Sequence, residues 1–202
     1  PECRTGLEHA RMKVGLTGGV ACGKSLVLEM FAEAGWRTLS ADALVHELLD
    51  NDAEVHEAIS GKFGNAAIGE DGSLNKKWIG TVVFGDAEKR AWLEELLHPL
   101  VRRRWTAEIE ADPETNWIVE IPLLFEKKLE IHFDLVVCLE SSQKTQLSRL
   151  RSRGLSEADA LARISSQAPL AEKIEKSDIV LSNNGSLNFL RKQLSILLER
   201  LA

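Results

Sequence analysis

The chain has 202 residues, of which 44% are hydrophobic and 28% are charged, so it can bury a sizeable core and is not a disordered polymer. Its formal net charge of −6 argues against a nucleic-acid-binding protein that depends on a broad basic face. Arg102, Arg103 and Arg104 nevertheless form a local basic cluster.

The amino-terminal stretch and the cysteines indicate in which cellular compartment we expect the protein. Residues 1–11 are polar and lack the apolar centre of a signal peptide, and we expect them to be a poorly ordered extension that the fold does not need. The three cysteines (Cys3, Cys22 and Cys138) lack the spacing of a disulfide framework or a zinc site. No apolar run approaches the roughly 20 residues of a membrane span. We therefore expect a cytoplasmic protein, monomeric or a small homo-oligomer, that binds neither nucleic acid nor a membrane.

Short apolar runs alternate with helical patterns along the chain. The runs predict strands at 13–16, 36–40, 116–121, 133–139 and 178–182, and helical spacing is found at 25–34, 87–110, 142–153 and 156–167. This alternation predicts an α/β fold with a five-stranded parallel sheet between helical layers. The segment of about 51–112 breaks the alternation, since it has helical patterns and no convincing strand. We therefore predict a single domain, 12–202, with a core of 12–50 and 113–202 and an inserted helical lobe.

An uninterrupted G-x-x-x-x-G-K-S motif follows the first predicted strand. It consists of Gly18, Gly19, Val20, Ala21, Cys22, Gly23, Lys24 and Ser25. Glycines let the backbone turn several N–H groups towards one anion, and a helix start adds partial positive charge there. Lys24 is then expected to reach the β- and γ-phosphates of ATP, and the Ser25 hydroxyl to ligate Mg²⁺. A tight turn that merely resembles the motif is the alternative, but a strand before and a helix after favour a phosphate loop.

A phosphate loop occurs in kinases, GTPases and ATP-driven machines, and other features discriminate between them. The guanine-binding N-K-x-D segment is missing, because the Asn75–Lys76 pair is followed by Lys77 and Trp78. A motor or clamp ATPase usually needs a longer chain. A small-molecule kinase fits the length and the inserted lobe. The expected architecture is the three-layer phosphate-loop kinase fold, with a helical substrate lobe and a helical lid.

Two acids stand where predicted strands end, at the edge where open α/β sheets bind ligands. Asp42 lies just past the second strand, where a kinase needs a carboxylate to orient the acceptor hydroxyl and take its proton. Capping of the next helix is the alternative role for Asp42. Glu120 ends the third apolar run and is expected to hold Mg²⁺ through water. A local charge at a strand end is the alternative for Glu120.

Four arginines lie on two helical stretches joined at Gly154. They are Arg149, Arg151, Arg153 and Arg163. Guanidinium groups suit phosphate oxygens, and a mobile hairpin could close them over ATP and exclude water. Solvated arginines on exposed helices are the alternative. We predict a lid over about 149–175.

Several segments together resemble the dephospho-coenzyme A kinase family. The similarity runs from about Met12 to Leu201 and includes "VGLTGGVACGKS", "SADALVHELL", "LLHPLVRRR", "IPLLFE" and "ARISSQAPLAEKIEKSDIVLSNNGS" in this order. The phosphate loop is common to many families, whereas "HPLV", "PLLFE" and "NNGS" in sequence are far more particular. The resemblance implies transfer of the ATP γ-phosphoryl group to the 3′-hydroxyl of dephospho-coenzyme A.

The resemblance also implies roles for individual residues. Asp42 resembles the general base, and Lys24 and Arg149 resemble catalytic groups at the phosphates. The implied ATP site comprises the loop residues 18–25 with Leu26, Arg149, Arg153, Asn183 and Gly185. The implied acceptor site comprises Asp42, His98, Pro99, Leu123, Leu124 and Glu126, and the implied metal ligands are Ser25 and Glu120. By chemistry alone, His98–Pro99 is equally a helix break, 123–126 an apolar strand-to-loop transition, and 183–185 a turn.

Two positions depart from the family pattern. Ser40 stands where many members have an acid, so the D-A-D pattern is reduced to Asp42, and Leu26 replaces a frequent threonine. We expect the first change to alter hydrogen bonding around the site without abolishing the chemistry. Two alternatives stay open: another small-molecule or nucleoside kinase on the same core, and a regulatory protein that switches on ATP. Asp42 discriminates, because a switch needs no base at that position.

Overall fold

The computed structural model describes residues 11–201, so the predicted extension lies outside the described residues except for Arg11. The chain divides into two compact units. Residues 11–40 and 112–201 form the sheet unit, and Ala41–Ala111 form the helical unit. Within the described ranges, no helix has both the length and the apolar character that a membrane span requires.

The sheet unit is built on a five-stranded parallel sheet with the order β2-β3-β1-β4-β5. Its strands are β1 Lys13–Gly18, β2 Arg37–Ser40, β3 Trp117–Glu120, β4 Leu135–Glu140 and β5 Ile179–Ser182. β1 after Lys13 and the whole of β3 are buried, as strands inside a parallel sheet are, and most of their residues are apolar. The predicted α/β class with a five-stranded parallel sheet is confirmed.

Strand register decides which residues meet at the functional edge. Glu120 of β3 pairs with Leu16 of β1 on one side and with Ser40 of β2 on the other. Because the strands are parallel, their carboxyl ends reach the same edge of the sheet. The loop that follows β1 and the last residues of β2 and β3 therefore lie side by side.

The described part of the sheet unit also contains five α-helices, of which the first and the last two pack against strands. They are α1 Lys24–Glu33, α6 Gln143–Ser152, α7 Glu157–Ser165, α8 Leu170–Lys176 and α9 Leu187–Leu201. Phe31 of α1 is fully buried and meets Trp36 edge-on, with 5.0 Å between ring centroids. Burial of such a side chain contributes about 1.5–3 kcal/mol. Leu190 and Leu194 of α9 pack into the same core.

The helical unit has a core of its own. It contains α2 Ala41–Asn51, α3 Ala53–Phe63, α4 Lys76–Gly85 and α5 Ala87–Ala111. Phe63 contacts Trp78 and Trp92 edge-on, at 6.2 and 5.4 Å between centroids. Asp52 accepts a hydrogen bond from the Val55 N–H in the first turn of α3, and Asn75 accepts one from the Trp78 N–H in the first turn of α4. Such side-chain caps are worth about 1 kcal/mol each and explain where these helices begin.

The helical unit begins earlier than the predicted boundary at residue 51. Leu49 of α2 is buried in the same cluster as Val55 and Ile59 of α3 and Leu97 of α5. The structure therefore groups α2 with the other helices of this unit, directly after Ser40. The apolar spacing of "ALVHELL" did not reveal this, because periodicity does not say which core a helix packs against.

Candidate active site

The loop between β1 and α1 has the backbone of an anion-binding site. Positive φ angles occur at Gly18 (141°), Ala21 (57°) and Gly23 (99°), so the chain reverses its handedness repeatedly. The Cys22 N–H donates to Gly19 O at 3.3 Å and closes the turn. Alternation of this kind is typical of loops whose N–H groups converge on a phosphate.

Gly18 and Gly23 are also required for steric reasons. A Cβ atom at Gly18 would lie 2.2 Å from Leu139 O, and one at Gly23 would lie 2.6 Å from Asn183 Nδ2. Leu139 O is a backbone atom of the central sheet and cannot move aside. At Gly23 the neighbour is a side-chain amide that donates to Cys22 O at 2.7 Å, so a Cβ atom there would disturb this hydrogen bond.

The start of α1 strengthens the positive potential at the loop. Gly23 has no side chain with which to cap the helix, and the first turn, which begins with Lys24, Ser25 and Leu26, is free of acids. The N-terminal dipole of α1 is therefore not neutralised by a carboxylate of its own first turn, and it favours an anion at this point.

Arg149 of α6 holds the loop from its carbonyl side. Its Nη1 donates to Ala21 O (3.0 Å), Cys22 O (3.1 Å) and Ser141 Oγ (3.2 Å), and its Nη2 donates to Asn183 O (3.0 Å). Asn183 Nδ2 donates to Cys22 O at 2.7 Å. With the carbonyls held on one side, the N–H groups are left for a ligand on the other. A direct contact of Arg149 with a phosphate stays a prediction.

The loop also packs against the α6–α7 hairpin. Ala21 belongs to a buried cluster with Leu150 of α6 and Ala160 of α7, and Val20 packs against it. The predicted lid segment thus begins in direct contact with the phosphate loop. Arg153 lies exposed at the end of α6, just before Gly154, whose φ is +89°. The sequence does not distinguish Arg149 from Arg153, whereas in the structure Arg149 is half-buried against the loop and Arg153 is exposed.

Lys24 and Glu120 form a buried ion pair at the sheet edge. Lys24 Nζ lies 3.8 Å from Glu120 Oε1 and donates to Gly19 O at 3.2 Å, and both side chains are less than 10% exposed. Ser40 Oγ donates to Glu120 Oε2 at 2.6 Å. Ser40, at the position where many relatives are expected to have an acid, therefore orients Glu120 without adding a second negative charge. The sequence did not predict this contact.

The residues predicted to hold Mg²⁺ fit a metal that takes most of its ligands from phosphates and water. Within residues 11–201, no group of three or more His, Cys, Asp or Glu side chains is placed to hold a metal ion. Ser25 is exposed in the first turn of α1, one residue after Lys24, and the Glu120 carboxylate lies buried beside Lys24 at the end of β3. Mg²⁺ is commonly bound by one or two protein oxygens together with substrate phosphates.

Asp42 lies exposed in the first turn of α2, which begins at Ala41. The residue that flanks the helix start is Ser40, so Asp42 does not occupy the capping position that was its alternative role. A carboxylate in the first turn of a helix is favoured by the helix dipole. The role of Asp42 as the base stays a prediction.

The segment after β3 is anchored by one buried leucine. Leu124 is fully buried, and a Cβ atom at Gly15 of β1 would lie 2.8 Å from Leu124 Cδ1. The Leu124 side chain therefore packs in the core, and the prediction that Leu124 faces the acceptor applies only to its backbone. Leu123 and Phe125 on either side are half-buried and remain reachable from solvent.

Glu126 has a partner that the sequence did not reveal. Lys173 of α8 is 1% exposed, and its Nζ donates to Pro122 O at 2.6 Å and lies 2.9 Å from Glu126 Oε1. The Ala168 N–H donates to the same oxygen at 3.0 Å. Burial alone would raise the pKa of Glu126, but the hydrogen bonds from Lys173 and Ala168 and the lysine charge lower it overall. The helical face shared by Leu170, Lys173 and Ile174 was the available signal.

The remaining predicted residues are placed as follows. Asn184 Oδ1 accepts from the Ser142 N–H at 2.6 Å and so fixes the start of α6, while Gly185 lies exposed beyond it. In the helical unit, His98 is half-buried and Pro99 is exposed within α5, which continues through both residues. The alternative of a helix break there is therefore wrong, because the lost N–H of Pro99 does not end the helix.

Cys22 lies in the loop without the properties of a reactive thiol. It is fully buried, and burial raises its pKa, although the Lys24 charge and hydrogen bonds to Ser141 partly offset this effect. Burial likewise raises the pKa of Cys138 to about 11. Both thiols are therefore protonated at neutral pH and poorly nucleophilic.

Comparisons with known proteins agree on one family. The family model for dephospho-CoA kinase matches residues 12–188. A dephospho-CoA kinase from Halalkalibacterium halodurans is 36% identical over 193 residues, covering 94% of this chain and 96% of that protein. The solved structure of TT1252 from Thermus thermophilus superimposes with a TM-score of 0.80 at 32% identity, over 95% of this chain and 98% of the other. A dephospho-CoA kinase from Campylobacter jejuni gives 0.68 at 27% identity, over 93% and 96%.

The match to the family model begins at Met12, directly before β1, and continues beyond β5 into α9. It thus includes the phosphate loop, the whole helical unit and the segment that contains Glu126 and Lys173. The relatives are matched over nearly their full length as well. The chain therefore belongs to the dephospho-CoA kinase family.

Proposed function

We propose that this protein transfers the γ-phosphoryl group of ATP to the 3′-hydroxyl of dephospho-CoA, giving CoA and ADP. The observation that supports ATP as the phosphoryl donor is the phosphate loop, with Lys24 paired to Glu120 at the carboxyl edge of the sheet. Membership of the dephospho-CoA kinase family supports dephospho-CoA as the acceptor. The helical unit is the proposed acceptor lobe, and 149–175 the proposed lid.

In this proposal the loop binds the phosphates of ATP. Arg149 and Asn183 hold loop carbonyl groups, so the loop N–H groups can donate hydrogen bonds to the phosphate oxygens, and Lys24 exchanges its contact with Gly19 O for the β- and γ-phosphates. No large rearrangement is needed, because the carbonyl groups are already turned away. Such preorganisation is the main source of rate enhancement in phosphoryl transfer.

Ser25 and Glu120 are the residues that would hold Mg²⁺. When bound, the ion supplies positive charge that neutralises the phosphate oxygens. Ser40 orients Glu120 through its hydrogen bond, and Lys24 Nζ lies 3.8 Å from the same carboxylate.

Asp42 is the proposed base. Chain connectivity places it two residues after β2 ends, in the exposed first turn of α2. There it would accept the hydrogen bond of the 3′-hydroxyl, orient its oxygen towards the γ-phosphorus and take the proton as the new O–P bond forms. Arg153, exposed beside Gly154, is the proposed lid contact to the phosphates.

The proposed location is the cytoplasm. Cys22 and Cys138 are free and buried, and the reducing compartment keeps such thiols intact. ATP and small-molecule acceptors are also available there.

The test is an ADP-release assay with ATP and Mg²⁺ in which dephospho-CoA, adenosine, shikimate and gluconate are offered separately. We expect release with dephospho-CoA only, and phosphorylated product confirmed by mass spectrometry. Release with another acceptor would identify a different small-molecule kinase, and release that is independent of all acceptors would identify a switch. K24A is the control, and its folding needs a check by circular dichroism, because the substitution leaves the buried Glu120 without its cation.

A further inference from the structure

Lys173 is a buried cation outside the phosphate loop. Its side chain is 1% exposed, and its ammonium group is compensated by Pro122 O at 2.6 Å and by Glu126 Oε1 at 2.9 Å. An ammonium group is expensive to bury unless its hydrogen bonds are satisfied. Both partners belong to the Pro122–Glu126 segment, so both of these contacts tie the lysine to this segment.

The Pro122–Glu126 segment needs such an anchor because it is not part of the sheet. It leaves β3 with one further sheet contact, Ile121 N–H to Leu16 O at 2.9 Å, and then forms consecutive turns. Pro122 O also accepts a long hydrogen bond from Thr17 Oγ1 at 3.4 Å, and Thr17 directly precedes the phosphate loop. Lys173 thus holds the same carbonyl that touches the base of the loop.

The far end of the segment is tied to the α7–α8 connection. Glu126 Oε1 accepts from Lys173 and from the Ala168 N–H, which lies between α7 and α8. Removal of the ammonium group would leave Pro122 O with a weak partner and Glu126 with one backbone donor. The turns between them would keep the buried Leu124 side chain and their backbone hydrogen bonds but would lose this anchor, and so would shift more easily.

We propose that Lys173 is a positioning residue, which fixes the Pro122–Glu126 segment so that its reachable face, Leu123 and Phe125, receives the acceptor. This inference rests on the proposed function, in which that segment faces dephospho-CoA. Lys173 itself is too buried to touch a substrate. It acts on acceptor binding, whereas the nucleotide loop is held separately by Arg149 and Asn183.

The test is K173M, which keeps the aliphatic chain and removes the charge, beside K176M as a matched control. Lys176 is exposed on the same helix. We expect the KM for dephospho-CoA to rise at least about tenfold in K173M, with the KM for ATP changed less than about threefold, and neither to change in K176M. A purely structural role would lower the active fraction and leave both KM values as they are, and that result would overturn the proposal.

E126Q provides a second variant if K173M fails to fold. This substitution weakens the contact between Lys173 and Glu126 by removing the charge of the acidic partner. We expect the KM for dephospho-CoA to rise while the KM for ATP changes less than about threefold. In the double variant the two effects should be less than additive, because they act through one contact. An unchanged acceptor KM in E126Q would contradict the inference.

Hydrogen exchange separates this inference from the proposed function. We expect the amides of Ala168 and of 127–129 to exchange at least about tenfold faster in K173M or E126Q than in K176M, without any substrate. If the wild-type protein failed to phosphorylate dephospho-CoA, the proposed function would fall, yet faster exchange would still show that Lys173 fixes the segment. Unchanged amide exchange rates in an enzyme that phosphorylates dephospho-CoA would refute the positioning role of Lys173 and leave the proposed function intact.

Discussion

Replacement of Arg149 by methionine separates two roles for this arginine, holding the phosphate loop and contacting a phosphate. Methionine keeps a long flexible side chain but donates no hydrogen bond. If Arg149 holds the loop, the substitution destabilises the protein even without nucleotide. If it acts only on ATP, the nucleotide-free protein is unaffected and only turnover falls.

The expected magnitude follows from the partners that remain. Cys22 O keeps its bond from Asn183 Nδ2 at 2.7 Å, and Asn183 O keeps its bond from Ser141 Oγ at 3.1 Å. Ala21 O is the carbonyl that loses its donor. A hydrogen bond from a charged group contributes about 1.5–3 kcal/mol, so the free energy of unfolding should fall by about this amount rather than by several times as much.

The assay is urea unfolding without nucleotide, followed by tryptophan fluorescence. R151M is the matched control, since Arg151 lies on the same helix with a 63% exposed side chain and a 3.7 Å contact to Glu157. We expect the control to change stability by less than about 0.5 kcal/mol. Equal urea midpoints for R149M and R151M, with equal slopes, would refute a loop-holding role.

Three further predictions follow from the site. D42N should leave ATP affinity intact and lower turnover with dephospho-CoA at least about a hundredfold, and full activity would remove Asp42 from the mechanism. G23A should weaken ATP binding and stability more than G35A, because both glycines have positive φ (99° and 86°) but only Gly23 has a close neighbour, Asn183 Nδ2; calorimetry and urea unfolding measure this, and equal losses would contradict it. Because the pKa of Glu126 is lowered from 4.5, its contribution is complete above that value and disappears as the pH falls through the folded-state pKa. The stability difference between wild type and E126Q should therefore shrink between pH 7 and pH 3.5, and a constant difference would count against this account.

Local patterns were sufficient for the architecture. The apolar runs of β1 and β4 and the helical spacing of α5 and α6 are properties of short windows, and the structure has these elements within a few residues of the predicted bounds. The loop motif was equally local, because its glycines, lysine and serine act within eight consecutive residues. The parallel arrangement followed from the alternation of strands and helices.

Contacts between distant residues could not be predicted in this way. Arg149 meets Ala21 across 128 positions of sequence, and Lys173 meets Pro122 across 51. The helical face that Lys173 shares with Leu170 and Ile174 indicates that it is buried, unlike the exposed Lys176, but does not indicate its partner. Strand register decided that Ser40 lies beside Glu120, and no local pattern encodes register between strands so far apart.

The sequence by itself determined that this protein has a parallel α/β core with a phosphate loop, and its motifs determined the family. These features depend on the periodic spacing of apolar side chains and on the backbone conformations open to glycine, and both are local properties of the chain. Only the tertiary structure decided what these polar side chains do: Arg149 and Asn183 hold carbonyl groups, Lys24 pairs with Glu120, and Lys173 anchors Pro122. A buried charge must find its partner wherever the fold brings one, and that partner is set by packing rather than by neighbours in the chain.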